Sequence, residues 1–404
     1  MTKKLIRETY LSKIRPFYDD REMIKVLEGM RRAGKSTILE QIIDELSERG
    51  VREEDIIYIN LERRGYKNIK NAEALEKLLG ERCESKKGFY LFVDEIQRAK
   101  GFEEVIEAYR AEGECSIFIT GSNSYLMSGE LSTYLTGRYI SFEIYPFSFR
   151  EAHLYGGLTG EDDFEKLQDY MTYGGLPRRY SYAKQEVGIY VESIIGEIIK
   201  KDLSKRVRNE ELFEAVLTYI CLNPGITISY SSIQKYLRGE GVKTTRKTIG
   251  KYVNLLEKAK LIYLLKPDFL KGKQSLKAHS KSYLSDLGIR KALAPAMELD
   301  YSSMLENIVF LELSSRGYRV RVGNLQKGEI DFAAEKGGKL AYFQVTYSLM
   351  ETKTREREYA SLLSLDNAYP KYVISLDPLN YDYRGIRHLR LIKDFLLSEE
   401  WEIR

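Results

Sequence analysis

Three cysteines, three histidines and a net charge of only +4 in 404 residues exclude several kinds of protein at once. Cys83, Cys115 and Cys221 are far apart, odd in number and without metal-ligand spacing. That argues against a disulfide framework and a zinc site, and for reduced thiols in a cytosolic chain. His153, His279 and His388 are as dispersed, so neither a histidine metal site nor a catalytic triad is written here. Long apolar runs are missing too. No segment approaches the roughly 18 uncharged apolar residues of a membrane span. The opening Met-Thr-Lys-Lys-Leu-Ile-Arg-Glu lacks the apolar core of a signal peptide, so a cytoplasmic location without membrane contact is expected. With 64 Lys+Arg against 60 Asp+Glu the chain is not globally basic, and any nucleic-acid footprint must be local. There is no internal repeat and no low-complexity linker. The 31 tyrosines are scattered as packing residues are, not gathered into a base-stacking platform.

What is present is more specific. Residues 29–37 comprise Gly29, Met30, Arg31, Arg32, Ala33, Gly34, Lys35, Ser36 and Thr37, a full match to GxxxxGK[ST]. They lie between an apolar stretch, 23–27, and an amphipathic run that starts at Lys35 and ends near Gly50. In such a loop glycines let backbone N–H groups close around phosphates, and a helix N-terminus favours negative charge. Lys35 neutralises the β and γ oxygens, and Ser36 binds Mg²⁺. ATP and Mg²⁺ are therefore the expected ligands. Further on, Tyr90-Leu91-Phe92-Val93 leads into Asp94-Glu95, which puts two carboxylates at the C-terminal edge of a buried strand. Asp94 would hold Mg²⁺ through water and Glu95 would polarise the attacking water. The apolar strand 117–120 ends in Gly121, Ser122 and Asn123, so Ser122 or Asn123 is placed to sense the γ-phosphate; a plain polar turn is the alternative. Arg138, before the fifth β-type run, is either a surface arginine or a finger reaching a neighbouring subunit, which would imply a homo-oligomer.

A chain this long exceeds one hydrophobic core, and its pattern breaks into four blocks. Residues 1–155 alternate β-type runs (23–27, 56–60, 89–93, 117–120, 139–144) with helical stretches, as in an α/β domain with a parallel sheet. Residues 156–210 read as a small helical lid entered by the Gly-Gly-Leu-Pro turn at 174–177. In 211–283 two helices (231–237 and 247–260) precede two β-type runs, the pattern of a winged helix. Residues 284–404 form a further α/β domain. Between 235 and 281 there are thirteen Lys or Arg against three Asp or Glu, an excess of ten in a chain whose net charge is +4. Lys243, Thr244, Thr245, Arg246 and Lys247 open the second helix, and Lys271, Lys273 and Lys277 fall in the wing. This favours double-stranded DNA as a partner, although winged helices also bind proteins.

In the last block Glu306 lies on a helix, Asp331 and Gln344 lie on strands joined by Gly337-Gly338, and Thr346 follows. The arrangement looks like a PD-(D/E)XK nuclease frame. Gln344 stands where an acid is expected and Thr346 where a lysine is expected, with Lys339 and Lys353 the nearby replacements. A fold kept for binding or assembly is the preferred reading, and an ATP-regulated nuclease the alternative.

Taken together, residues 29–37, 93–97, 120–124, 137–138, 145–148, 174–177 and 329–332 resemble the AAA+ ATPases. The resemblance is closer to the bacterial and archaeal branch that joins such a domain to a winged helix and a restriction-endonuclease-like C-terminal domain. It covers nearly the whole chain. It implies that Asp94 and Glu95 are the Mg²⁺ and water-activating acids, Ser122 or Asn123 the sensor, and Arg138 the finger arginine. Pro177 is similar to the proline that flanks adenine. Arg178 and Arg179 are the candidates for a second sensor. A signalling or assembly switch that binds protein partners under ATP control is the other function class consistent with the sequence.

Overall fold

The computed structural model describes residues 5–84, 86–121, 137–203, 207–269, 280–296, 298, 300–325, 328–399 and 401–403. It divides into two compact units, Met1–Pro146 with Lys258–Lys260, and Phe147–Glu257 with Leu261–Arg404.

The first unit is built on five parallel strands: β1 (Ile24–Glu28), β2 (Ile56–Asn60), β3 (Phe89–Asp94), β4 (Cys115–Thr120) and β5 (Tyr139–Glu143). Their order is β2-β3-β4-β1-β5, so β4 is inserted between β1 and β3. Among the described residues, α1 (Glu8–Ile14), α2 (Lys35–Glu48), α3 (Ala72–Cys83) and α4 (Phe102–Glu112) accompany them. Strands β3 and β4 are buried along almost their whole length and mostly apolar, Ser116 and the strand-end Asp94 and Thr120 excepted, as a sheet covered on both faces requires. One side of the core packs Val26, Ile59, Leu91, Val93, Ile117 and Ile119 with Leu75, Leu79 and Ile106. On the other, Phe92 stacks on Phe118 at 4.7 Å. Because all five strands run the same way, the turns after β1, β3 and β4 emerge at one edge, and that edge carries the candidate site.

The second unit begins with helices α5 (Phe149–Tyr155), α6 (Asp163–Tyr173) and α7 (Lys184–Asp202). Next come α8 (Glu210–Cys221), α9 (Tyr230–Gly239) and α10 (Arg246–Lys258). Strand β6 (Ile262–Leu265) pairs antiparallel with β8 (Lys281–Leu284), with β7 (Pro267–Phe269) between them in sequence. After α11 (Gly288–Leu293) and α12 (Tyr301–Ser315) come β9 (Arg319–Asn324), β10 (Glu329–Lys336), β11 (Lys339–Val345), α13 (Thr352–Leu363), β12 (Lys371–Ser375) and β13 (Arg387–Arg390). The sheet order is β13-β12-β11-β10-β9-β7, antiparallel across β9, β10 and β11 and parallel from β11 to β13. Gly337 and Gly338, both with positive φ, make the tight turn from β10 to β11. Among the described residues no helix is long and apolar enough to cross a membrane.

Candidate nucleotide site

The loop from Gly29 to Gly34 leaves β1 and enters α2. Gly29 has φ +141°, and a Cβ there would lie 2.1 Å from the Ile144 carbonyl oxygen, so only glycine fits. Gly34 caps α2 with φ 102°, and Arg32 is also left-handed at 70°. Met30 and Ala33 are buried and anchor the loop, while Ser36 and Thr37 sit half-buried in the first turn of α2. The Lys35 ammonium donates to the carbonyls of Gly29 at 3.1 Å and Met30 at 3.2 Å. Arg7, buried before α1, donates to Ala33 O at 3.0 Å, Tyr145 O at 3.0 Å and Pro146 O at 3.2 Å. It fastens the phosphate loop to the segment after β5. No local pattern in the sequence marked it.

Asp94, at the end of β3, is fully buried. The Thr120 hydroxyl at the end of β4 donates to its Oδ1, Asn60 Nδ2 donates to its Oδ2 at 2.7 Å, and the Tyr58 hydroxyl reaches Oδ2 at 3.2 Å. Burial and the Asp94 charge push the Tyr58 phenol up to about 12, so it remains a donor. The same Thr120 oxygen accepts the Glu95 N–H at 3.0 Å. Glu95 is left-handed at φ 58°, and its Oε2 accepts from Gln97 Nε2 at 2.6 Å and lies 3.9 Å from Arg31. The structure thus brings Lys35, Asp94 and Glu95 to one sheet edge and adds Thr120, Asn60 and Tyr58. Asn60 was legible by the rule that singled out Asp94, a polar residue closing an apolar strand, and it pairs in register with Asp94.

Ser122 and Asn123 lie outside the described residues. Arg138 is half exposed and pairs with Glu107, which also binds Arg110 at 2.7 Å. Arg110 first, then Arg138, hold the Glu107 carboxyl below its usual range. In the second unit, Pro177 opens a short helical turn, Pro177–Ser181. Arg178 is exposed, whereas Arg179 is buried, paired with Asp169 at 2.9 Å and donating to Gly174 O at 2.7 Å. Arg179 is thereby committed to internal bonds.

At the start of α10 Thr245 caps the helix by accepting the Thr248 N–H at 3.2 Å, and Thr244 O accepts from Gln234 at 2.7 Å. Lys243, Arg246 and Lys247 are exposed, with no ion pair to a described carboxylate. Lys271, Lys273 and Lys277 lie outside the described residues. Lys281, on β8, is buried and bonds Glu306 at 3.1 Å and Glu329 at 2.6 Å; the Tyr283 hydroxyl also donates to Glu306. Burial opposes the Lys281 charge, but Glu306, Asp331 and Glu329 outweigh it and raise its pKa. Asp331 is pushed well above the carboxylate range by burial first and Glu306 second, while its Oδ2 accepts the Val345 N–H at 2.8 Å. The Gln344 amide oxygen is buried without a partner, and Thr346 is buried at the end of the strand. So the lysine that meets these acids is Lys281, not Lys339 or Lys353, both of which are exposed.

Sheet order, phosphate loop and strand-end acids define a P-loop ATPase domain of the AAA class. A family profile described as "AAA domain" matches residues 21–153, and one described as a domain of unknown function matches 164–300. The chain is 36% identical over 381 residues to an uncharacterized protein of Haemophilus influenzae, covering 93% of this chain and 94% of that one. It is 30% identical over 376 residues to an uncharacterized protein of Methanocaldococcus jannaschii, covering 87% and 81%. The chain belongs to the same family as these two proteins. Among solved structures, the Walker-type ATPase of Pyrococcus abyssi shares the fold at a TM-score of 0.50 and 17% identity, covering 72% of this chain and 95% of that one.

Proposed function

We propose that the protein binds ATP with Mg²⁺ at residues 29–37 and hydrolyses it, and that nucleotide state controls a DNA-binding winged helix (within 211–283) and a restriction-endonuclease-like C-terminal domain (284–404). The observation that carries the ATPase half is the Thr120 hydroxyl, which ties Asp94 and Glu95 together at the sheet edge that bears the phosphate loop. Lys35 would exchange the Gly29 and Met30 carbonyls for phosphate oxygens of opposite charge. Ser36 and Asp94 would hold Mg²⁺, which supplies charge neutralisation on the phosphates. Among the described residues no group of three His, Cys, Asp or Glu forms a metal cage. That fits Mg²⁺, which is usually held by one or two protein ligands, phosphates and water. Glu95 orients the attacking water, and its contacts to Gln97 and Arg31 set its resting position. Arg138 serves as a finger only by leaving Glu107, and an exposed pair of that kind is worth at most about 1 kcal/mol.

Support for DNA binding comes from Lys243, Arg246 and Lys247, which stand unpaired at the N-terminus of α10 ahead of an antiparallel strand pair. Lys281 brings to Glu306 and Glu329 the cation that the strand lacks at Thr346, so binding and cleavage by the C-terminal domain are separated by assay. A nuclease reading remains distinct and testable: it requires Mg²⁺-dependent cutting abolished by Asp331→Ala.

The deciding experiment measures ATP hydrolysis by wild type, Lys35→Ala and Glu95→Gln, with and without duplex DNA at two salt concentrations. Lys35→Ala is expected to lose nucleotide binding, and Glu95→Gln to bind but turn over slowly. Wild-type turnover by Lys35→Ala refutes the ATPase reading. DNA that neither binds nor changes the rate at low salt leaves an ATP-controlled assembly switch with protein partners as the better account.

A further inference from the structure

Beside β12 and α13, two cavities of about 370 and 610 Å³ open next to each other and share Leu363. That is the size range of ligand-binding clefts. Lys371, Arg384 and Arg387 line the first, and Arg355 lines the second. None of these four cations has an ion pair with a described carboxylate. Arg355 lies 5.8 Å over the Tyr381 ring and Arg384 5.2 Å over the Tyr383 ring, while Lys371 donates to Asn367 O at 2.8 Å. Glu356 and Asp382 are the acids on the same walls, so positive charge exceeds negative by two. Tyr369 in the first cavity and Tyr383 in the second are each about half exposed, at 49% and 46%.

The turn that separates the cavities adds an independent observation. Tyr383 and Ile386 form an isolated bridge, and the two residues between them, Arg384 at φ 47° and Gly385 at φ 81°, are both left-handed. Such a two-residue turn prefers Asn or Gly at its first central position. An arginine there strains the backbone, and its guanidinium lies 5.2 Å from the centroid of the Tyr383 ring.

We propose that this surface binds single-stranded nucleic acid, with phosphates on Arg384, Arg387, Lys371 and Arg355 and unpaired bases against Tyr369 and Tyr383. Guanidinium groups without ion pairs near half-exposed tyrosines are what a flexible polyanion with aromatic bases requires. A duplex keeps its base faces stacked internally and offers nothing to the tyrosines. An acidic protein segment would satisfy the cations but leave the rings unused. The proposal rests on neither the ATPase nor the winged-helix reading, because it shares no residue with them.

The test uses the full chain and fluorescence anisotropy with a labelled strand of about 20 nucleotides, alone and annealed to its complement, at about 50 and 200 mM salt. Tyr383→Ala is expected to weaken single-strand binding by roughly 5- to 150-fold and leave duplex binding unchanged. Arg387→Gln is expected to lower the slope of log affinity against log salt by about 0.7. Arg384→Asn should do the same and also raise the melting temperature, since Asn suits the left-handed turn; a purely structural arginine would lower it. Arg246→Gln separates the two surfaces, because it should reduce duplex binding alone. The proposal is overturned if wild type does not bind single strands, if the Tyr383 and Arg384 variants bind them like wild type, or if binding follows Arg246 only. Displacement of the strand by polyglutamate of equal charge, with Tyr383→Ala without effect, would reassign the surface to an acidic protein.

Discussion

Replacing Thr120 by valine removes one hydroxyl and changes almost nothing in shape. Two bonds go with it: the charged one to Asp94 Oδ1, and the one that satisfies the Glu95 N–H at 3.0 Å. Thr120 and Asp94 are fully buried, so water cannot replace the hydroxyl without rearrangement. A hydrogen bond to a charged group contributes about 1.5–3 kcal/mol, and a buried N–H left unpaired costs about 1–3 kcal/mol. Because both act through one atom they are not additive, and a loss of about 2–4 kcal/mol of unfolding free energy is expected. Asp94 keeps Asn60 and Tyr58, so it loses its orientation more than its charge. Glu95, left-handed and held through its backbone, loses the anchor that fixes where its carboxylate begins. The expected outcome is a lower denaturant midpoint and turnover reduced roughly 10- to 100-fold, with ATP affinity within a few fold of wild type because the phosphate loop is untouched. Thr120→Ser keeps the hydroxyl and should keep most of both properties. Urea unfolding and steady-state ATP hydrolysis on the three proteins decide the matter. If Thr120→Val is as stable and as fast as wild type, the hydroxyl does not join the two acids and the account of the site is wrong.

Other perturbations read different parts of the molecule. Gly29→Ala drives a Cβ into the Ile144 backbone carbonyl, and should lower stability by at least ~2 kcal/mol and abolish nucleotide binding; a melting temperature unchanged by thermal denaturation would contradict the geometry. Lys281→Met leaves Glu306 and Glu329 without their shared cation, at an expected cost of about 3 kcal/mol at pH 8. Equal urea midpoints for Lys281→Met and wild type at pH 8 would refute this. Asp286 is raised to about 6 by burial, against the N–H groups of Gly175 and Gly288 that favour its charge. A raised carboxyl contributes its full stability below the unfolded value near 4 and loses it as pH rises through 6, a loss of about 3 kcal/mol. Asp286→Asn, less stable overall through its lost acceptor, should therefore approach wild type between pH 4 and 6, and a constant gap across that window would sink the assignment.

How much of this was legible in the sequence follows from how local each cause is. The five parallel strands fell within two residues of their expected positions because apolar runs and their ends are written in consecutive residues. Lys35, Asp94 and Glu95 could be singled out for the same reason: a glycine-rich loop and a strand-end acid are short patterns. Arg7 was not, since its three acceptors lie 26, 138 and 139 residues away and only the closed sheet brings them together. Thr120 was read as the end of a polar-capped strand, but its bond to Asp94 depends on β4 being inserted beside β3, an order that strand patterns do not contain. The basic run of 235–281 shows the opposite error. A count of charges treats every lysine as solvent-facing, yet Lys260 pairs with Glu143 at 2.6 Å and Lys281 with two acids. Those two cations are already paired inside the protein, so they add nothing to the exposed basic surface at the start of α10. The same lysine answers the puzzle of a nuclease-like frame whose strand carries threonine at the lysine position. The positive charge near Glu306 and Asp331 comes from β8, outside the stretch where the pattern is sought. A charge lodged among the acids in this way restores the cation whose absence from the strand argued against cleavage, so cutting by wild type and by Asp331→Ala decides between binding and cleavage.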